Sequence, residues 1–593
     1  MAMPFNFAAL YRAWQACRCG KRGTRKAQRY ETRLLDNLVD TAQALHTQAW
    51  RPSRPIRFVT LHPKPREILA AEFGDRVVHH LLVPWFERLF EPVFIHDSHA
   101  NRKGHGTHAA VQRLQGFLRR DRSAHYLQLD IANFFNSIDR RTLYGLLAAR
   151  VQRDLRHPVA RMKRSAIGEL PAQHDRPPGF RPAACIRATA ATAQRCSPDE
   201  AQRNPGDLLD PVDARHMLWL ARLLLTGNPA QGAQFQGRIA DLARVPAHKQ
   251  LINTPPEKGL PIGNLTSQFF ANVYLNELDQ FVKHRLKVRH YVRYVDDFVL
   301  VHRDPAQLAR WCTAIEDFLR QRLGLALRDA GRLAPVADGI DFLGYVVRAD
   351  YLLVRRRVVG HLHDRLTRFG HSIARKSGVL ACPPEQVDRL QAMLASYFGH
   401  FRHARSQRLQ DEVFRRHPWL GHWLAPLGDG RLRRVDRPAS VSSLASQWRY
   451  FRKRYPGHAL LMQVGNRWEC APSPRSPDEA QRTPGPSRVA GSAPRIPACG
   501  LHPCDGMAHV QRPGLPLTYP VSAADLPTLK RRLIRAGLPW CEVVEHGHLR
   551  GGMKCRQLRA VWPATPAPPP SSASTPTERR APAGLVPTTE AQP

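Results

Sequence analysis

The stretch Tyr291-Val-Arg-Tyr-Val-Asp-Asp-Phe-Val-Leu-Val301 constrains the fold of this chain more than any other. Two short runs rich in β-branched and aromatic residues flank Asp296 and Asp297. The pattern predicts a β-hairpin with both carboxylates at its turn and apolar strands anchoring them. Adjacent carboxylates repel each other, and a hard divalent cation such as Mg²⁺ removes that cost through oxygen ligands. A bare Asp-Asp pair also fits a solvated turn, so the dipeptide alone leaves both readings open.

A third acid lies upstream in Tyr126-Leu-Gln-Leu-Asp-Ile-Ala-Asn-Phe-Phe-Asn-Ser-Ile-Asp139. A mostly apolar run leads into Asp130, and a helix is expected from Arg140. A carboxylate at a strand end is placed to meet the Asp296-Asp297 hairpin from an adjacent strand. Three carboxylates on neighbouring strands suffice to hold two metal ions. Asp139 reads instead as a cap for the following helix.

Four further stretches belong with these. They are Pro63-Lys-Pro-Arg-Glu-Ile68 followed by Asp75-Arg76, Asn101-Arg-Lys-Gly-His-Gly-Thr107, Gly259-Leu-Pro-Ile-Gly-Asn-Leu-Thr-Ser-Gln268, and Phe342-Leu-Gly-Tyr345. Six blocks in this order resemble reverse transcriptases, whereas any one of them alone is weak. The resemblance implies an α+β right-hand polymerase with fingers, palm and helical thumb. It implies Asp130, Asp296 and Asp297 as metal ligands for Mg²⁺, with Mn²⁺ as the other candidate. In two-metal nucleotidyl transfer one ion activates the primer 3′ oxygen and the other stabilises the leaving pyrophosphate. Arg66 becomes the first candidate to meet the triphosphate, because a guanidinium fork suits phosphate oxygens; Lys64 is the second. Phe135 takes the position whose bulk excludes a ribose 2′-hydroxyl, although a core aromatic is the plainer role, one better suited to Phe134. Gly263 lets the backbone pass close to the incoming base pair. The implied partners are template RNA, primer and cDNA, dNTPs and an accessory protein.

The pocket block departs from much of the family. Ile262-Gly263 stands where many members have Gln-Gly, and Ser267-Gln268 where they have Ser-Pro. This pattern is similar to the reverse transcriptases of diversity-generating retroelements, which copy a template RNA with frequent errors at adenine. An aliphatic Ile262 lacks the polar contacts of glutamine, so looser selection follows. Group II intron maturases are the competing relatives, but no Cys/His-rich nuclease motif follows near the C-terminus.

With 89 Lys and Arg against 49 Asp and Glu, the net charge is +40, which suits a protein that tracks a polyanion. Abundant Arg, Ala and Pro also fit a GC-rich coding sequence. The 11 cysteines show no paired CxxC spacing, and Cys17-Arg-Cys19 is too tight for a usual zinc clamp. Free thiols in a reducing cytoplasm are expected. The first residues lack the order of a signal peptide, and no apolar run reaches membrane-spanning length, so no membrane partner is expected.

The organisation is expected as follows. Residues 1–50 are helical, with Leu34, Leu35, Leu38 and Val39 on one stripe. Residues 51–350 are fingers and palm, and 351–445 the thumb. One helix is expected over 384–415, carrying Val387, Leu390, Leu394, Tyr397 and Phe401 on one face and Arg402, Arg405 and Arg408 on the other. Residues 446–562 form a small C-terminal α/β module. There Gly465-Asn-Arg-Trp-Glu469 and the helix and strand near 523–544 resemble the N-terminal mismatch-reading domain of MutS proteins, with Arg467 where that family stacks a phenylalanine on a base. The decapeptide Ser197–Gly206 recurs as Ser476–Gly485 with nine of ten positions identical. Both copies sit in Pro/Ala/Arg-rich segments, about 165–207 and 471–505, which read as disordered insertions, and 563–593 reads as a disordered tail. Three other readings stay open: an antiphage-defence reverse transcriptase, a template-independent DNA-synthesising one, and an RNA-binding protein whose polymerase has decayed.

Overall fold

The computed structural model describes residues 5–61, 64–156, 209–428, 430–439, 443–473, 518–549 and 552–563. The expected insertion at 165–207, nearly all of that at 471–505, and the tail beyond 563 lie outside the described residues. The chain divides into two compact units, residues 1–343 with 347–350, and residues 344–346 with 351–593.

The first unit is built on two helices buried almost all round, as helices in the middle of a large core are. Phe73–Phe90 buries Val77, Val78, Leu82, Phe86 and Leu89. Leu265–Gln280 buries Phe269, Phe270, Val273, Tyr274 and Leu278. Their core is shared with the N-terminal helices through Leu10, Trp14, Leu38 and Leu45. The stripe on helix Leu34–His46 is covered on one side only: Leu38 and Leu45 are buried, while Leu35 and Val39 are 63% and 51% exposed. The buried positions repeat at i, i+7, with Leu34 and Ala42 packed beside them, so the contact line runs along one side of the apolar stripe.

Among the described residues, seven strands of this unit form two sheets. β1 (Ile56–Thr60), β2 (Arg66–Ala70) and β4 (Gln234–Phe235) form one sheet in the order β2-β1-β4. β3 (His125–Asp130), β5 (His290–Tyr294), β6 (Asp297–His302) and β7 (Arg332–Pro335) form another in the order β5-β6-β3-β7, with every adjacent pair antiparallel. Strand alternation sends Leu127 and Leu129 into the core and leaves Gln128 and Asp130 on the opposite face. Asp139 accepts from the backbone N–H of Thr142 at 2.6 Å, capping helix Arg140–Arg156.

In the second unit the single helix expected over 384–415 is two, Pro384–Phe401 and Gln407–Arg416. The chain breaks at Arg402–Ser406, where buried Ser406 donates to the Phe401 carbonyl at 2.7 Å. Val387, Leu390, Leu394, Phe398 and Phe401 are buried, and Arg402, Arg405 and Arg408 are exposed. A six-stranded sheet includes Leu380–Ala381, Trp540–His548, Lys554–Trp562 and the hairpin Ala459–Val464 with Arg467–Ala471. Leu460 and Met462 pack into the core that holds Leu390, Leu394 and Trp423. Ala459 and Leu461 pack on the other face with Leu526, Leu529 and Leu533 of helix Leu526–Arg535. One core therefore runs continuously from residues before 446 to residues after it. Among the described residues the cysteines are free thiols, and no helix is long and apolar enough to cross a membrane.

Candidate active site

The hairpin turn comprises Val295 and Asp296, because Tyr294 pairs with Asp297 across the strands. A two-residue loop demands positive φ at its first position, and Val295 adopts φ 56°. For a β-branched residue this is a rare conformation, costing on the order of 1–3 kcal/mol, so the surroundings must over-determine it. Arg293 does so. Its Nη1 donates to the Val295 carbonyl at 2.9 Å, and its Nη2 donates to Ser98 Oγ at 2.9 Å. The guanidinium and its ion-pair partner Asp279 are both fully buried, 2.5 Å apart. Asp279 also accepts from the Tyr291 hydroxyl at 2.8 Å. On the other side, the Ile131 N–H donates to the Asp296 carbonyl at 3.3 Å.

β3 brings the third acid. Asp130 is the register partner of Asp297, so their side chains leave the sheet on the same face, with Asp296 beside them in the turn. Gln128 donates to Asp297 Oδ1 at 3.1 Å and to the Asp341 carbonyl at 3.0 Å, fixing that carboxylate. Burial first, and then the neighbouring Asp296 charge, push the Asp130 carboxyl up to about 6; Arg328 and Lys64 pull the other way. Asp296 is likewise raised by burial, and Arg328 and Arg66 oppose the rise. Arg328 forms an ion pair with Asp130 Oδ2. Asp130 Oδ1 is buried with no hydrogen-bond partner among the described residues. Asp130, with its orphaned oxygen, and Asp296 are thus both raised by burial, and carboxylate oxygens are the donors a hard divalent cation takes.

The other expected residues surround this cluster to different degrees. Arg66 opens β2, and its charge and that of Lys64 reach the acids. Ile262 accepts at its carbonyl from the Leu69 N–H at 3.0 Å. Gly263 has φ 118°, and a Cβ there would stand 2.8 Å from Ile68 Cγ2, so the pocket block lies flat on β2. Phe135 is half-buried and accepts from the Leu260 N–H at 2.8 Å, whereas Phe134 is a core residue. Gln268 is exposed on the first turn of its helix, and among the described residues no hydrogen bond or ion pair ties it to the acids. Arg293, Asp279, Ser98, Gln128 and Arg328 were not anticipated. The one signal for them was a polar residue inside each apolar run, Gln128 and Arg293.

Residues 214–347 match the family described as Reverse transcriptase (RNA-dependent DNA polymerase). The match covers Asp296, Asp297 and the pocket block, and Asp130 precedes it. It indicates a nucleotidyltransferase domain of the RNA-directed DNA polymerase kind, whose members use divalent metal ions, within a mixed α and β, polymerase-like fold. No curated protein matches. Among solved structures, telomerase of Candida albicans in complex with a fragment of telomeric RNA is similar at 11% identity and a TM-score of 0.29, covering 63% of this chain and 57% of that one. Apo telomerase of Candida tropicalis, truncated from its C-terminal domain, is similar at 11% identity and a TM-score of 0.30, covering 51% and 56%. The chain thus spans little more than half the length of either.

Proposed function

We propose that the chain is an RNA-directed DNA polymerase that extends a primer with dNTPs on a template RNA, with fingers and palm in residues 51–350 and the thumb in 351–445. The observation that carries the reading is the pairing of Asp130 against Asp297 with Asp296 in the clamped turn. Asp130, Asp296 and Asp297 would hold Mg²⁺, which supplies charge neutralisation for the primer 3′ oxygen and the leaving pyrophosphate. Arg66, with Lys64 behind it, meets the triphosphate. Phe135 crowds the sugar, and Gly263 leaves room for the base pair. Arg293 holds the turn and Gln128 holds Asp297, which limits the movement left to these carboxylates. Template dependence tests the reading. Incorporation should require an annealed RNA template and follow its sequence; extension of a lone single strand would point to the template-independent alternative.

The diversity-generating kind of reverse transcriptase is the subtype we favour, because Ile262 puts an aliphatic side chain where a glutamine would make polar contacts. Residues 446–562 share their core with the residues before them and are read as the nucleic-acid-binding part of that unit, similar to the MutS N-terminal domain. Exposed Arg467, at the start of its strand, stands where that family stacks a phenylalanine, and it supports binding more than mismatch sensing. We read the protein as cytoplasmic, where cysteines stay reduced.

A further inference from the structure

Three imidazoles gather beside the edge strand β5, where Ser98 bridges Arg293. The ring centroids of His96, His99 and His105 are 5.9 Å (96 to 99), 5.6 Å (96 to 105) and 5.0 Å (99 to 105) apart. His99 is 2% exposed. Its Nδ1 lies 3.2 Å from Nδ1 of His105, and its Nε2 is buried with no hydrogen-bond partner among the described residues. The 3.2 Å gap is the length of an N–H···N hydrogen bond and is also close to the roughly 3.3 Å that separates two imidazole nitrogens on one tetrahedral ion, each about 2.0–2.1 Å from it. A ring nitrogen of His96, the Asp97 carboxylate and a ring nitrogen of His99 lie within 4.8 Å of one another. Asp97 is already paired with Arg113 at 2.5 Å and Lys283 at 2.8 Å. Its charge is therefore balanced, and its 3.5 Å approach to His96 Nδ1 suits the carboxylate that orients a ligating imidazole from behind. Gly104 and Gly106, at φ 75° and 130°, turn the chain back so that His105 meets His99.

We propose that His96, His99 and His105 form a binding site for one borderline transition-metal ion of the Zn²⁺ type, separate from the three aspartates. Imidazole nitrogens select Zn²⁺, Ni²⁺ or Cu²⁺, whereas the all-oxygen aspartate cluster selects Mg²⁺ or Mn²⁺. The ion would act as a staple. The Arg293 N–H donates to the Asp97 carbonyl at 2.9 Å and the His99 N–H to the Arg293 carbonyl at 3.0 Å, while Ser98 Oγ accepts from the Arg293 side chain. Fastening His96, His99 and His105 together thus fastens the segment that seats Arg293. The site stands on its own geometry and does not depend on polymerase activity.

Co²⁺ titrated into the chelator-stripped full chain tests the proposal. One equivalent should give the intense visible bands of tetrahedral nitrogen-ligated Co²⁺, and Zn²⁺ should bleach them. His105→Gln and His96→Gln alter a half-buried and an exposed side chain, so both proteins should keep the wild-type circular dichroism. Each should weaken Co²⁺ binding by roughly tenfold or more. Asp296→Asn/Asp297→Asn should leave the bands in place. Absent bands, bands unchanged in folded His105→Gln, or bands lost only in the aspartate variant would each overturn the assignment.

Discussion

Arg293 Nη1 donates to the carbonyl of Val295, two residues further along the chain, at 2.9 Å. A strand residue thereby holds the turn of its own hairpin, and the buried Asp279 carboxylate holds the strand residue. Removing one partner of a buried pair leaves an uncompensated charge, which costs about 3–5 kcal/mol. Arg293→Met should therefore lower stability in urea by about that amount. Adding Asp279→Leu should recover much of the loss, since an apolar replacement of the whole pair is often near neutral. Primer extension should stay low in the double variant, because Val295 still lacks its donor. Full activity there would show that the clamp only stabilises the fold.

The acids carry a pH signature. Asp130 is raised to about 6 by burial and by Asp296, against about 3.9 for an unfolded aspartate. Between those values the folded chain binds a proton that the unfolded chain does not, so this group's contribution to stability falls as pH rises through 6. In metal-free buffer Asp130→Asn should gain on wild type in melting temperature above pH 6, with the gain shrinking towards pH 4. Protons and Mg²⁺ compete for the same oxygens, so the Mg²⁺ concentration for half-maximal incorporation should rise as pH drops below 6. A pH-independent Mg²⁺ requirement would remove Asp130 from the ligand set.

Gly263 sits where a side chain has neither room nor a suitable backbone. At φ 118° and 2.8 Å from Ile68 Cγ2, Gly263→Ala must shift the pocket block off β2. We expect a raised KM for dNTP, about tenfold for each 1.4 kcal/mol of displaced contact, and a smaller change in melting temperature, because position 263 is itself exposed. An unchanged KM would place the nucleotide elsewhere.

Ile262→Gln tests the subtype. A polar side chain should restore hydrogen bonding at the pocket and lower misincorporation opposite template adenine, by roughly tenfold if it gains one interaction of about 1–3 kcal/mol. Sequencing of cDNA from both proteins reads this directly. Equal error spectra would separate fidelity from residue 262.

The hairpin was legible because alternation and β-branched content are local signals, and an acid at the end of an apolar run marked Asp130 as its neighbour. The capping role of Asp139 was legible for the same local reason. The Arg293–Asp279 pair was not, since it joins a strand to a helix through a fully buried contact that no periodicity reports. The exposure of Leu35 and Val39 was not legible, because apolar spacing marks a stripe wider than the line its neighbours cover. The break at 402–406 was missed because the apolar pattern continues on both sides, and only Ser406 hinted at a new start.

Mg²⁺-dependent dNTP incorporation on an RNA template annealed to a DNA primer is the most direct test, with Asp296→Ala/Asp297→Ala run beside the parent. Extension by the parent and none by the variant, with both binding the duplex equally, is the predicted result. Equal extension by the two, or none by a parent that still binds RNA, would contradict a metal-holding polymerase site at Asp130, Asp296 and Asp297.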